Sequence, residues 1–311
     1  MRTGGRLHTC EDLISGWKSI VYPKEAVGNR AYAFHGALAN IENALMIFAR
    51  NIVCEEHPDA EYVEVDDVLP LATTHACGFP LPDQTERMLQ YTLLDDETKC
   101  LSGTAEMGIA DRLRDLVFDL DDLPVVYVAK SRCFRPEIST TSAEAKLYRV
   151  HEFTKMEMFW VCAPGQGEEA LERITSTQTR INEELGLHFR LVDMPPEELG
   201  ASASRKVDIE AWMPGRGLFG EVSSASFCAD YQSSRLNIRY RTREGSLEHV
   251  HTLNGTVLAA TRTLIALLET HQEEGRKGVN IPSVLRPFLP PHRSPPVHLG
   301  RAPPIDYSAS V

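Results

Sequence analysis

The sequence predicts an α+β fold, a largely antiparallel sheet flanked by helices. Strand signals come in clusters joined by turns, amphipathic helices stand between the clusters, and no alternating βαβ wrap runs through the 311 residues. Neither G-x-x-x-x-G-K-[ST] nor G-x-G-x-x-G occurs. A bound nucleotide would therefore be held from the face of a sheet and not by a glycine loop at a helix start.

In chain order, "GALANIENALMIFARNI" (36–52) sets Leu38, Ile41, Leu45 and Phe48 at helical spacing. "AEYVEVDDVLPL" is strand-like at Tyr62, Val63 and Val65, and residues 71–100 read as polar and irregular. "LPVVYVAKSRCF" (123–134) reads as a mostly buried strand that leads into Arg135 and Glu137, which would share one face. The run "RVHEFTKMEMF" reads as a second strand, whose period of two puts Arg149, Phe153 and Glu157 on one side. "GEEALERITSTQTRINEELGL" (167–187) is a helix stopping near Gly186, and "HFRLVDM" is a short strand. "KVDIEAWMPGRGLFGEVSSASF" holds two strands about Pro214 and Gly215. "RLNIRYR" and "LEHVHTL" form a hairpin about Glu244 and Gly245, and "TVLAATRTLIALLETHQ" is an apolar closing helix. After Leu289 the proline-rich end reads as a disordered tail. The division is thus 1–24 as an N-terminal remnant or linker, 25–289 as one domain, and 290–311 as tail.

Composition narrows the class. A chain this long with 42% apolar residues buries a large core without disulfides or metal. Its 7 cysteines include no C-x-x-C pair, and an odd set of scattered thiols points to a reducing compartment. Arg50 and Arg262 interrupt the longest apolar runs, which fall short of the ~18 residues of a spanning helix, so no membrane segment is expected. A net charge of -12 argues against a general nucleic-acid coat, although "SSRLNIRYRTR" (233–243) reads either as a local basic patch or as a strand with a solvated face. The basic, acid-free start "MRTGGRLHTC" is compatible with a short organellar targeting remnant but lacks an Arg-rich amphipathic helix.

The chemistry concentrates in residues 133–159, "CFRPEISTTSAEAKLYRVHEFTKMEMF". Guanidinium groups fork onto phosphate oxygens and a flat ring stacks on a base, so this surface suits a nucleoside triphosphate. Singly, each part has a plainer reading. Arg135 with Glu137 also fits a surface ion pair and Phe153 a core ring. Thr104 to Glu106 also fits a loop or strand edge, and Asn254 to Thr256 a turn capping the helix after it. Arg262 stands out, because a guanidinium in an apolar helix needs a partner.

Taken together, F-R-x-E, a loop, then R-x-x-x-F-x-x-x-E resembles motif 2 of class II aminoacyl-tRNA synthetases. "LSGTAEM", "LYRVHEFTKMEMF", "DIEAWMPGRGLFGEVSSAS", "DYQSSRLNIRYR", "HTLNGT" and "RTLIALLE" narrow the resemblance to seryl-tRNA synthetases of the mitochondrial type, over roughly residues 25–289. The resemblance implies a serine–tRNA ligase with a class II antiparallel sheet. In it, Arg135 binds the α-phosphate, Glu137 accepts from the adenine amino group, and Phe153 stacks on adenine. Arg262 covers adenine's other face and meets the terminal phosphate with Arg149. Val150, His151, Glu152 and Phe153 supply the base-contacting edge, the His151 side chain being left a structural part. Glu221, Val222, Ser223 and Ser224 line the ATP site, with Glu221 and Ser224 on Mg²⁺. L-serine falls to Thr104, Ala105, Glu106, Arg135, Glu157, Asn254 and Thr256. A site that hydrogen-bonds the serine hydroxyl rejects alanine by about 10⁴ or more, whereas threonine needs only a steric wall. The implied partners are L-serine, ATP, serine tRNA and a second copy in a homodimer. The implied place is the mitochondrial matrix, or alternatively the cytoplasm.

The sequence departs from the family pattern at Asp66, where motif 1 carries a proline, at Phe227, usually asparagine, and at Thr261, usually glycine or proline. Phe227 and Thr261 are expected beside the nucleotide. Seryl-tRNA synthetases begin with a long coiled-coil arm that grips tRNA, and no heptad pattern precedes residue 25, so weakened tRNA selection is expected. Two other readings are a non-catalytic paralogue and an amino acid:carrier-protein ligase. The first predicts decay of a ligand set that still stands, and the second resembles a zinc-dependent branch whose Cys/His/Glu metal set is missing here.

Overall fold

The computed structural model describes residues 7–23, 28, 30–79, 90–137, 146–273 and 278–291, and the backbone of 305–306. Its centre is a seven-stranded sheet. The strands are β1 (Glu61–Tyr62), β2 (Val125–Phe134), β3 (Glu152–Cys162), β4 (Phe189–Asp193), β5 (Arg205–Met213), β6 (Leu218–Ala229) and β7 (His251–Ala259). Their order is β1-β2-β3-β7-β6-β5-β4, antiparallel throughout except for the β1–β2 edge. The antiparallel α+β expectation therefore holds.

The helices that matter for the site are α1 (Gly36–Glu56), α2 (Ala105–Arg112), α3 (Gly167–Glu184), α4 (Tyr231–Leu236) and α5 (Ala260–Thr270). Helix α1 runs four residues past the expected end at 52, because nothing stops it before His57, which is held out of the helical region by the ring of Pro58. Helix α3 stops where Gly186 takes φ +65°, the left-handed turn that closes a helix end.

Period-two alternation sorts the β3 side chains. Met156, Met158, Trp160 and Cys162 enter the larger core, shared with α1, α3 and α5, while Phe159 and Val161 enter a smaller one with α2 and α4. Lys155 and Glu157 lie on the Phe159 side, toward α2. The two cores sandwich β3, so these polar groups are almost wholly removed from water.

Several expectations are corrected. Strand β2 ends at Phe134, one residue before Arg135, because Pro136 has no N–H to continue a ladder. Strand β3 begins at Glu152, so Arg149 lies in the turn before it and shares no strand face with Phe153. Asn254 to Thr256 form the middle of β7 and no turn, and the closing helix starts only at Ala260. Part of the basic stretch is helix α4, closed by Asn237 at φ +57°. Residues 71–100 contain a helix at Leu71–Ala76 and a strand at Lys99–Leu101. Residues 10–17, expected as linker, are packed, with Cys10, Leu13, Ile14 and Trp17 all in the larger core. Most of the expected tail lies outside the described residues, but Ile305–Asp306 pair in parallel with Val279–Asn280.

None of the seven cysteines is paired. Among the described residues no helix is long and apolar enough to cross a membrane.

Candidate active site

A cleft open to solvent lies over the sheet where β3, β7 and β6 run side by side. It has a carboxylate end and an arginine end.

At the carboxylate end, register sets Glu157 on β3 opposite Thr256 on β7. Glu157 reaches the start of α2, where its Oε2 accepts from the N–H of Ala105 at 2.7 Å, from the N–H of Glu106 at 3.4 Å and from the Thr104 hydroxyl. A carboxylate placed on a helix's first amides satisfies donors that no helical carbonyl can reach. Its other oxygen takes the Lys155 ammonium, which also donates to Thr104 Oγ1 at 2.9 Å. Glu106 lies one residue inside α2, and its Oε1 accepts from Gln232 Nε2 at 2.5 Å and Asn254 Nδ2 at 2.8 Å. Burial first, then the neighbouring Glu157 carboxylate, pushes the Glu106 carboxyl up to about 7, against the pull of Gln232, Lys155 and Arg135.

At the arginine end, Arg135 lies over the Phe153 ring at 5.3 Å, and its Nε donates to the carbonyl of Gly103 at 3.4 Å. Its own N–H donates to His151 O, a single bond that extends the ladder past β2. Arg149 Nη1 meets Glu137 Oε2 at 3.4 Å. Helix α5 starts directly from β7 and so carries Arg262 into the cleft one short turn later. There it donates to Glu221 Oε2 at 3.0 Å and to the carbonyl oxygens of Tyr148 and Glu221, both at 3.2 Å. Burial raises the Glu221 carboxyl, but the charges of Arg262, Lys206 and Arg135 outweigh it and hold the group below the usual carboxylate range.

The cleft gathers Thr104, Glu106, Arg135, Glu137, Arg149, Val150, Phe153, Glu157, Glu221, Val222, Ser223, Ser224, Asn254, Thr256 and Arg262 from the expected set. The side chains of three others go elsewhere. Glu152 pairs with Arg132 at 2.9 Å, the His151 ring bonds the Tyr91 hydroxyl at 2.9 Å, and Ala105 is fully buried, contributing only its N–H. Phe227, expected beside the nucleotide, packs instead on Gly167 at the start of α3 and on the His251 ring at 5.6 Å. Thr261 does line the cleft. Asp66 lies 3.8 Å from Arg112 on the surface.

Sequence reasoning passed over Lys155, Tyr148 and Phe79, all in the lining. Lys155 was legible, since it shares parity with Phe153 and Glu157. Tyr148 was not: its ring sits under the Arg262 guanidinium at 4.6 Å, a contact made across the fold. Among the described residues no three His, Cys, Asp or Glu side chains converge as a metal cluster. Glu221 and the Ser224 hydroxyl are hard oxygen donors facing the cleft, a set that fits Mg²⁺, which prefers one or two carboxylates together with phosphate oxygens.

Residues 91–271 match the tRNA synthetase class II core domain (G, H, P, S and T). The chain is 43% identical over 275 residues to a mitochondrial serine–tRNA ligase of Bos taurus, an alignment covering 88% of this chain and 52% of the relative. It thus spans about half the length of that curated relative. Its fold superposes on the seryl-tRNA synthetase of Pyrococcus horikoshii, solved with ATP, with a TM-score of 0.86 and 32% identity, over 92% of this chain and 63% of that one. It also superposes on the cytoplasmic serine–tRNA ligase of Naegleria fowleri, solved with AMP, with a TM-score of 0.80 and 28% identity, over 91% and 66% of the two chains. The chain therefore belongs to the class II tRNA synthetase core family.

Proposed function

We propose that this chain forms the adenylation site of a serine–tRNA ligase. One observation carries the reading: two buried carboxylates and a row of arginines share one cleft over the sheet, with Phe153 beneath Arg135. Glu106 and Glu157, with Thr104, Asn254 and Thr256, offer an ammonium and a hydroxyl their partners. Arg135, from the arginine end, steadies the α-phosphate as the serine carboxylate attacks phosphorus and pyrophosphate leaves. The protein contributes position and electrostatics and needs no covalent intermediate. Adenine would stack on Phe153, with Glu137 accepting from its amino group, while Arg149 and Arg262 exchange their carboxylates for phosphate oxygens. Mg²⁺ held by Glu221 and Ser224 would offset phosphate charge. The seryl group would then pass to the 3′ end of serine tRNA. The sequence match to a mitochondrial relative supports the mitochondrion as the place of action, and the matrix and a homodimeric working form are part of the proposal.

The test is exchange of labelled pyrophosphate into ATP without tRNA. Serine is expected to support exchange, and alanine, threonine and glycine are not. Exchange with none of them, from folded protein, would favour a non-catalytic paralogue. The Arg135→Ala variant is expected to lose exchange by at least about 10²-fold, on the scale of a lost charge-stabilising donor, while its oligomeric state is unchanged.

A further inference from the structure

Behind the carboxylate end lies a polar chain that no step above uses. Gln232 on α4 and Thr252 on β7 are both fully buried. The Thr252 hydroxyl donates to Gln232 Oε1 at 2.7 Å, which fixes the amide so that Nε2 faces Glu106. Asn254, two residues along β7 from Thr252, donates to the same Glu106 oxygen and also contacts Cys228 Sγ at 3.6 Å. One oxygen of Glu106 thus accepts from two amides, Gln232 from behind and Asn254 from the cleft lining, and the second is left for a ligand in the cleft.

We infer that Gln232 is a positioning residue for the amino-acid substrate: anchored by Thr252, it holds Glu106 as an aimed carboxylate ready to receive the substrate's α-ammonium. The inference rests on the adenylation reading for the identity of the ligand, but the arrangement of Gln232 on Glu106 stands apart from it. The charged and titratable groups that face Glu106 are Glu157 and Lys155 of β3, Arg135 beyond β2, Cys228 of β6 and Cys77 after the Leu71–Ala76 helix. Burial pushes both thiols up, so they stay uncharged. Among these neighbours Glu157 favours a proton on Glu106, while Gln232 opposes it by donating a hydrogen bond.

The experiment compares the intact chain with Gln232→Met, which keeps the side chain's length and removes its donor. Two readouts are taken. The first is the titration of the Glu106 side-chain carbon by NMR, assigned with Glu106→Gln, which needs no activity. The midpoint is expected to rise by about one pH unit, the scale of one charge-assisted hydrogen bond. The second is pyrophosphate exchange across pH. KM for serine is expected to rise about 5-fold near neutral pH and to recover toward the wild-type value at alkaline pH, where Glu106 ionises again, with KM for ATP unchanged. A Glu106 midpoint that stays in place overturns the inference whatever the activity. So does a loss of serine and ATP affinity together that no change of pH restores, because that marks a purely structural role. Absence of exchange in the wild type, beside a shifted midpoint, would instead count against the adenylation reading.

Discussion

Glu106 and Glu157 sit at the same helix start and are held in opposite ways. Glu157 collects the first amides of α2 and the Lys155 ammonium, whereas Glu106 is buried with amide donors alone. The second arrangement has a consequence for stability. The folded Glu106 carboxyl sits near 7 against an ordinary value of 4.5, so the folded state binds its proton more tightly than the unfolded chain does. Stability from this group is therefore full below the ordinary value and is lost as pH rises through about 7. Glu106→Gln is expected to raise Tm of the ligand-free protein by a few degrees at pH 8 and to change it little at pH 5, as scanning calorimetry would show. The same variant is expected to lose serine-dependent exchange, since an amide cannot answer an ammonium as a carboxylate does. At this scale the sequence was informative where a side chain reaches the cleft from a motif. It was silent on Gln232 and Tyr148, whose contacts join segments far apart in the chain.

Among the elements, β7 shows what local reading misses. Asn-Gly-Thr has the composition of a turn, yet Gly255 lies mid-strand because α3 crosses β7 so closely that an added Cβ would fall 2.3 Å from Ile174 Cγ2. Gly167 likewise gives room to the Phe227 ring, with a built Cβ 2.4 Å from its Cζ. Both glycines answer a tertiary packing demand and not a local conformation, which is why neither could be assigned from neighbours in sequence. Gly255→Ala is expected to cost about 1–3 kcal/mol through overpacking, read as a lower urea midpoint with an unchanged m-value. Because Gly255 separates Asn254 from Thr256, the shift should also weaken serine binding more than ATP binding. The long helices α1 and α3, by contrast, were legible from spacing, and the end of α3 from Gly186, whereas the short helices Cys10–Ile14, Leu71–Ala76 and α4 were not.

For the whole molecule, the largest departure from the sequence reading is the N-terminal segment. Glu269, fully buried on α5, accepts from the N–H groups of Cys10, Gly215 and Arg216 at 2.8, 2.8 and 3.0 Å. Arg216 then closes on Glu11 at 2.5 Å. The helix Cys10–Ile14, the β5–β6 turn and α5 are thereby tied at one point, a junction invisible in sequence because its N-terminal members are more than 200 residues from the others. Removing the cation leaves two carboxylates under cover, so Arg216→Met is expected to lose about 3–5 kcal/mol of stability, measurable by urea unfolding. Tertiary assembly also explains the charges in the cleft. Arg149, Arg262 and Lys155 each already face a carboxylate within the protein. A bare anion such as sulfate arriving at this cleft would have to evict those carboxylates and leave them stranded. On the adenylation reading proposed above, MgATP would bring a cation for Glu221 to meet where Arg262 leaves, so binding would be an exchange of partners. Once pyrophosphate had left, the same carboxylates would be on hand to recapture the arginines, and the empty cleft would reset itself without help from solvent ions.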